Sequence, residues 1–246
     1  MFVQGIDIPE GLDPPDPNDW PYTVPAVGRL LTEPLEFHAP VTFLVGENGS
    51  GKSTLVEGIA EAYGLDARGG RAGRKYANNR PKTPLGEGLR LDLTQRGARQ
   101  MSAGRRSRTG YFLRAETTFG FAEAVSGMHG YWDENLSEHS HGEGFLIILN
   151  AMFDKPGLYL MDEPEAALSF MSCLRLVGLM HELAESGSQI ICATHSPILS
   201  ATPGADIIEV GDHGARRSKW EELEMVDHWR RYLSGPGKYL RHIIDS

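Results

Sequence analysis

The sequence has few cysteines and no long apolar run. Its two cysteines, Cys173 and Cys192, lack the spacing of a metal site, so we expect two core residues and no disulfide. No window of about 18 residues is apolar, and the N terminus lacks a basic stretch followed by an apolar one. We therefore expect no membrane span, no secretory signal and a cytoplasmic protein.

Heptad repeats and separate clusters of acids or histidines are also missing. The first absence excludes a long coiled coil, and the second argues against a further, metal-dependent active site. His139 and His141 flank Ser140, but two ligands without partners are more typical of a polar loop. At 246 residues, the chain suits one α/β domain with a sizeable core.

Residues 46–53 follow the pattern G-x-x-x-x-G-K-[ST], in which backbone N–H groups surround phosphate oxygens, the lysine neutralises charge and the hydroxyl binds Mg²⁺. Mostly apolar residues 41–45 predict a buried strand before it, and residues 53–63 have apolar positions at helical spacing. The phosphates would therefore lie at a helix N terminus, where the helix dipole favours anions. A glycine-rich turn with a solvated lysine is the alternative. The predicted nucleotide contacts are Gly46, Glu47, Asn48, Gly49, Ser50, Gly51, Lys52, Ser53 and Thr54.

Two adjacent carboxylates, Asp162 and Glu163, end the apolar residues 158–161. Neighbouring side chains on a strand point to opposite faces unless the chain turns, and Pro164 supplies a turn. Asp162 can then hold Mg²⁺ directly or through water, while Glu163 polarises the attacking water. The alternative is an ordinary strand end with solvated acids.

A third apolar segment, residues 189–194, predicts a strand that ends just before His195. Ligands of open α/β sheets bind at the carboxyl ends of the strands. We expect His195 to contact the γ-phosphate, with a purely structural histidine as the alternative.

Ser140 and Glu143 have the spacing of a capping box and would open an apolar helix over residues 145–152. By itself this is an ordinary helix start. In this order, however, four features resemble the ABC-type ATPase superfamily over residues 41–210: residues 46–53 as its P-loop, Ser140-x-Gly142-Glu143 as its signature motif, the Asp162 and Glu163 pair, and His195.

The details favour one branch of that superfamily. Glu143 ends the signature motif, as in chromosome-maintenance and break-repair ATPase heads, whereas transporter subunits usually have glutamine there. The chain is also similar to small stand-alone bacterial AAA-family (ABC-type) ATPases in three segments, residues 112–116, 162–169 and 193–197. The resemblance implies an α/β P-loop NTPase fold with an ABC-type core sheet, flanking helices and a small helical signature lobe.

The resemblance also implies ATP and Mg²⁺ as cofactors and a homodimer that closes around ATP. Lys52 and Asp162 would lie on one side of the nucleotide, and Ser140 and Gly142 of a second copy on the other. Residues 166–169 would contact the opposite subunit, so hydrolysis would require the dimer. The residues that the resemblance implies are catalytic Lys52, Glu163 and His195, nucleotide-binding Ser140, Gly142 and Glu143, and metal-binding Ser53 and Asp162.

One position departs from the family pattern, which places a glutamine at the end of a strand between the P-loop and the signature motif. Residues 109–113 predict that strand, and Arg114 or Glu116 stands where the glutamine is expected. We expect Glu116 to be the metal-side group and Arg114 a possible phosphate contact.

We expect a single domain over residues 1–246: an N-terminal strand and proline-rich arm in 1–40, a basic insert in 66–114 and a signature lobe in 117–156. Trp20 and Tyr22 interrupt the arm. Tyr22 could stack on adenine, but packing of both rings on the core is favoured. At the far end we expect a strand over 206–210, a turn over 211–214 and a helix over 221–233.

The basic insert has thirteen Lys or Arg against three acids, which makes it +10 in a chain whose net charge is −9. Such a segment is either a contact for DNA or RNA phosphates or a solvated loop. The function we expect is an ATP-dependent clamp, in DNA repair or defence. A transporter's nucleotide-binding subunit and a non-hydrolysing switch are the alternatives, and an unidentified protein partner stays open.

Overall fold

The computed structural model describes residues 1–11, 15–71, 81–104, 108–114, 146, 149–150, 152–153 and 155–244. Within them the chain forms ten strands and seven α-helices. The strands are β1 (Val3–Asp7), β2 (Leu35–Glu36), β3 (Val41–Val45), β4 (Gly70–Arg71), β5 (Arg90–Leu93), β6 (Gly110–Arg114), β7 (Leu158–Asp162), β8 (Gln189–Thr194), β9 (Asp206–Gly211) and β10 (Gly214–Arg217). The helices are α1 (Pro25–Gly28), α2 (Lys52–Tyr63), α3 (Pro84–Gly88), α4 (Gln95–Ser102), α5 (Phe170–Glu185), α6 (Glu224–Ser234) and α7 (Gly237–Ile244).

Seven strands form a central sheet in the order β10-β9-β3-β8-β7-β6-β4. The pairs from β9 across to β6 are parallel, and the two outermost strands are antiparallel. Every residue of β3, β7 and β8 is buried, as expected for strands with both faces covered. Because these strands are parallel, the residues after β3, β7 and β8 meet at one edge of the sheet.

The two faces of the sheet carry separate apolar cores. Residues that alternate along each strand point to opposite faces, so Leu44 and Phe43 belong to different clusters. On one face, α2 packs with Leu55, Val56 and Ile59. On the other, α5 packs with Leu176, Met180 and Leu183. The fold is thus the predicted α/β P-loop arrangement of a parallel-rich core sheet between helices.

A second, three-stranded antiparallel sheet has the order β2-β1-β5. The buried side chain of Gln189, the first residue of β8, joins it to the central sheet. Its Oε1 accepts the N–H groups of Phe2 and Val3 at 2.7 and 2.8 Å, and its Nε2 donates to the Val3 carbonyl oxygen at 2.6 Å.

The basic insert contributes β4 and β6 to the central sheet and β5 to the small one. Its described part is therefore a component of both sheets, and the alternative of a solvated loop does not hold for that part. The strand predicted over residues 109–113 is shifted by one residue in the structure, where β6 is Gly110–Arg114.

Other predictions from the sequence hold with small differences. The hairpin of β9 and β10 turns where expected. The predicted helix 221–233 is a 3₁₀ turn, Trp220–Glu222, followed by α6. In the arm, Tyr22 is 7% exposed and packs in the core, whereas Trp20 is 60% exposed and was wrongly expected to pack. No helix in the described ranges is both long and apolar enough to cross a membrane.

Candidate functional site

The P-loop connects β3 to α2 as predicted, and two of its glycines are required by geometry. Gly51 has a φ of 101°, and a Cβ there would lie 2.5 Å from Val24 Cγ1. A Cβ on Gly46 would lie 2.0 Å from the Val210 carbonyl oxygen. No side chain caps the N terminus of α2 among the described residues, so its first N–H groups are available to an anion.

Lys52, the first residue of α2, has a side chain suited to a phosphate. It is 3% exposed, and its Nζ donates to the carbonyl oxygens of Gly46 and Glu47, both at 2.8 Å. Burial lowers the pKa of Lys52, and the charges of nearby carboxylates oppose this. Ser50 Oγ is buried and has no hydrogen-bond partner among the described residues. A buried ammonium held by carbonyls and an unpartnered hydroxyl both fit an anionic ligand in this loop.

The two predicted metal ligands lie in contact. Ser53 Oγ donates to Asp162 Oδ1 at 2.8 Å. Neighbouring oxygens around an octahedral Mg²⁺ with bonds of about 2.0–2.1 Å lie about 2.9 Å apart, so this pair fits adjacent coordination positions. Burial raises the pKa of Asp162, and the Ser53 hydrogen bond and Arg114 oppose the rise.

Glu163 leaves the strand direction at the end of β7. Its φ of 49° makes it the one non-glycine residue with positive φ in the described part of the chain. Its N–H donates to the Ala193 carbonyl oxygen at 2.9 Å, so the residue turns while staying attached to β8. Glu163 Oε1 lies 2.9 Å from His195 Nε2. The predicted base and the predicted γ-phosphate contact are therefore neighbours.

Glu165 belongs to this cluster, although the sequence reasoning gave it no role. Its Oε1 accepts hydrogen bonds from the Thr194 hydroxyl and from the His195 N–H, both at 2.6 Å. Burial raises the pKa of Glu165, and these hydrogen bonds oppose the rise. Its place two residues after Glu163 was the only sequence signal.

Arg114 lies beside the metal ligands. It is in register with Asp162, and its Nη2 is 3.8 Å from Asp162 Oδ2. Its Nη1 is 2.7 Å from Oε1 of Glu57, which stands one helical turn after Ser53. Arg114 thus lies beside two carboxylates, those of Glu57 and Asp162. Glu57 was missed, although its spacing from Ser53 could have shown that both share a helix face.

The remaining predicted site residues, Glu116, Ser140, Gly142 and Glu143, lie outside the described residues, and so does most of the signature lobe, 117–156. Their roles stay predictions. The predicted subunit contact, 166–169, includes the end of the 3₁₀ turn Pro164–Ala167 and Ser169, whose Oγ caps α5 by accepting the Ser172 N–H at 3.2 Å.

The basic side chains in the described part of the basic insert mostly bond within the protein. They pair with carboxylates or donate to main-chain carbonyl oxygens: Arg68 to Asp66, Lys82 to Gly86, Arg90 to Asp7, Arg96 to Gly187, Arg108 to Tyr63 and Arg114 to Glu57. Side chains engaged in this way are less available to an external phosphate backbone.

Two family models match parts of the chain. A model described as "AAA domain" matches residues 29–113, which contain the P-loop. A model described as "AAA domain, putative AbiEii toxin, Type IV TA system" matches residues 144–201, which contain Asp162, Glu163 and His195.

Curated relatives include ABC transporter G family member 21 of Dictyostelium discoideum, 27% identical over 230 residues, which covers 79% of this chain and 16% of that protein. The ATP-dependent permease PDR12 of Saccharomyces cerevisiae is 26% identical over 231 residues, which covers 80% of this chain and 15% of that protein. The chain thus spans about a sixth of the length of these relatives. Among solved structures, an SMC head domain from Thermotoga maritima is 18% identical, with a TM-score of 0.46 and coverage of 78% of this chain and 93% of that one. The sequence matches confirm the predicted resemblance to ABC-type P-loop ATPases.

Proposed function

We propose that this chain, whose motifs and core fold are those of an ABC-type P-loop ATPase, binds Mg²⁺-ATP and hydrolyses it. The observation that carries the proposal is the meeting of three motifs at one sheet edge. Lys52 and Ser53 follow β3, Asp162 and Glu163 end β7, and His195 follows β8, with Ser53 bonded to Asp162 and Glu163 beside His195.

The P-loop and the N terminus of α2 bind the phosphates. Lys52 exchanges its two carbonyl partners for phosphate oxygens, and the free N–H groups at the start of α2 and Ser50 Oγ complete the cradle. Ser53 and Asp162 would hold Mg²⁺. The metal ion, when bound, neutralises charge on the phosphate oxygens and orients them.

Glu163 and His195 act in the hydrolysis step. The Glu163 carboxylate accepts a hydrogen bond from a water molecule and orients it toward the γ-phosphorus. The water oxygen forms the new bond to phosphorus, the bond to the β-phosphate oxygen breaks, and the water proton passes to the carboxylate. His195 contacts the γ-phosphate and so distinguishes ATP from ADP.

The dimer completes the site. Ser140, Gly142 and Glu143 of a second copy cover the γ-phosphate, so ATP closes the pair and hydrolysis reopens it. We place this cycle in the cytoplasm. The match to a model named for a toxin–antitoxin system favours a role in defence over one in DNA repair.

A transporter subunit is the second candidate, because the curated relatives are named as a transporter and a permease. Glu143 and the basic insert argue against it. Co-purification with a membrane protein would favour it, and tight ATP binding without turnover would instead favour a non-hydrolysing switch.

Steady-state ATP hydrolysis with Mg²⁺ tests the proposal. We expect turnover in the wild type, a loss of about 100-fold or more in Glu163→Gln with ATP binding retained, and loss of binding in Lys52→Ala. Glu33→Gln, which changes an exposed glutamate paired with Arg29, serves as the control and should retain wild-type turnover. Turnover in Glu163→Gln equal to that of the wild type would contradict the assignment. Added duplex DNA at low salt shows in the same assay whether nucleic acid stimulates turnover.

A further inference from the structure

Glu165 has no part in the chemistry proposed above, yet it is tied to the site by two short hydrogen bonds. It lies in the 3₁₀ turn Pro164–Ala167 directly after Glu163. Its Oε1 accepts the Thr194 hydroxyl and the His195 N–H, both at 2.6 Å. One carboxylate oxygen therefore anchors the point at which the chain leaves β8 toward the His195 side chain.

The direction of these bonds is set by the donors available. The Thr194 hydroxyl accepts the Ser196 N–H at 2.9 Å, so its single proton is free to be donated to Glu165. Ser196 Oγ in turn accepts the N–H groups of Ile198 and Leu199 at 3.2 and 3.3 Å. The chain from 194 to 199 is thus bonded stepwise back to Glu165, which leaves little freedom in the backbone of His195.

His195 is held at both ends by one short segment. Glu165 bonds its main chain, and Glu163 Oε1 lies 2.9 Å from its ring Nε2. Pro164 alone separates the two glutamates, so they are carried on one turn. A shift of the anchor at Glu165 would therefore move the imidazole relative to Glu163.

A carboxylate in this place is costly to the fold. Glu165 Oε2 is buried and has no hydrogen-bond partner among the described residues. Glu165 is also one of the carboxylates whose negative charge opposes the lowering of the Lys52 pKa by burial. A group with these properties is better explained by the needs of the site than by those of the turn.

We propose that Glu165 is a positioning residue that holds His195 where it meets Glu163 and the γ-phosphate. The inference rests on the proposed ATPase function. Glu165 acts through His195 and does not itself contact the reacting atoms.

Glu61 offers a matched control. Its Oε2 accepts the N–H and the hydroxyl of Thr83 at 2.9 and 2.6 Å, so it also anchors a threonine through one carboxylate oxygen. It is 9% exposed and lies on α2, about two helical turns beyond Ser53. Its loss should affect stability without affecting His195.

The test is a double-mutant cycle on kcat with Glu165→Leu and His195→Ala, with unfolding midpoints measured for every variant. We expect Glu165→Leu to lower kcat about 10- to 100-fold with KM for ATP within about twofold, because a displacement of about 1 Å in a catalytic group has an effect of that size. In the His195→Ala background, Glu165→Leu should lower kcat by no more than about twofold. Glu165→Gln keeps the acceptor oxygen and should recover most of the lost rate, and Glu61→Leu should lower stability with kcat within about twofold.

Equal losses of kcat in both backgrounds, or wild-type kcat in a folded Glu165→Leu, would overturn the positioning role. Absence of turnover in the wild type would overturn the proposed function instead. In that event the ring ¹H–¹³C resonance of His195, assigned with His195→Ala, still decides the inference. A changed shift in Glu165→Leu but not in Glu61→Leu supports it, and an unchanged shift in Glu165→Leu overturns it.

Discussion

At the scale of single residues, Glu163 combines the proposed catalytic role with a backbone conformation that side chains other than glycine rarely adopt. Its φ is 49° and its ψ is 51°. The conformation lets Asp162 face Ser53 while Glu163 faces His195, although the two acids are consecutive. Strain of about 1 kcal/mol at this position is the expected cost of that divergence.

The strain can be measured by comparing two variants that both lack the carboxylate. We expect Glu163→Gly to be more stable toward urea than Glu163→Ala by about 1 kcal/mol, because glycine adopts positive φ freely. Exposed Glu182 in α5 is the control, where the order should reverse, since glycine destabilises a helix interior by about 1 kcal/mol relative to alanine. If the alanine variant were the more stable one at both positions, the backbone of Glu163 would not be strained.

The residues that sequence reasoning found and those it missed differ in how far their partners lie along the chain. Lys52, Asp162 and His195 stand in local patterns of strand, turn and helix, so their places could be predicted. Glu165, which was missed, reaches residues 29 and 30 positions away, and Glu57, which was also missed, pairs with Arg114 on another element. Such pairings depend on which strands are neighbours, which a single sequence does not show.

At the scale of elements, the small sheet is attached to the central sheet through the side chain of Gln189. Three buried hydrogen bonds join it to β1 and to the residue before β1. The small sheet in turn includes β5 of the basic insert. This side chain therefore ties the insert to the strand that leads to His195.

Gln189→Leu should lower the free energy of unfolding by about 3 kcal/mol, because it leaves two N–H groups and a carbonyl oxygen buried without partners. Gln4→Leu is the matched control. Gln4 bonds Asp92 at an exposed position, and its loss should change stability by less than about 0.5 kcal/mol. Urea unfolding of both variants decides the point, and equal effects would contradict a joining role for Gln189.

Elements were predicted best where their pattern was strong. Strands β3, β7 and β8 consist mostly of apolar residues, and their bounds match those expected to within one residue. Strand β5 was not predicted because it has only four residues, two of which are charged, and none of them is fully buried. A short strand of this kind is stabilised by its neighbour, and its own composition gave only the charge of the segment.

At the scale of the whole molecule, the residues proposed to bind phosphate, metal and water lie together in one chain, whereas the signature motif lies outside the described residues. In the proposed function that motif comes from a second copy. ATP then belongs to both subunits, so its binding and the association of the two copies must be linked.

Glu163→Gln should trap the associated state. With saturating Mg²⁺-ATP we expect this variant to sediment as a dimer, and without nucleotide as a monomer, because ATP bridges the subunits and is not hydrolysed. The double variant Lys52→Ala/Glu163→Gln should stay monomeric. A monomer of Glu163→Gln with ATP bound would contradict the sharing of ATP between two subunits.

The most direct test of the clamp is the rate of ATP hydrolysis per chain as a function of protein concentration, measured at saturating Mg²⁺-ATP. If the site is completed by a second copy, the rate per chain rises with concentration and levels off when all chains are paired. A rate per chain that stays constant down to concentrations at which sedimentation shows only monomer would mean that one chain hydrolyses ATP alone, and would contradict the account.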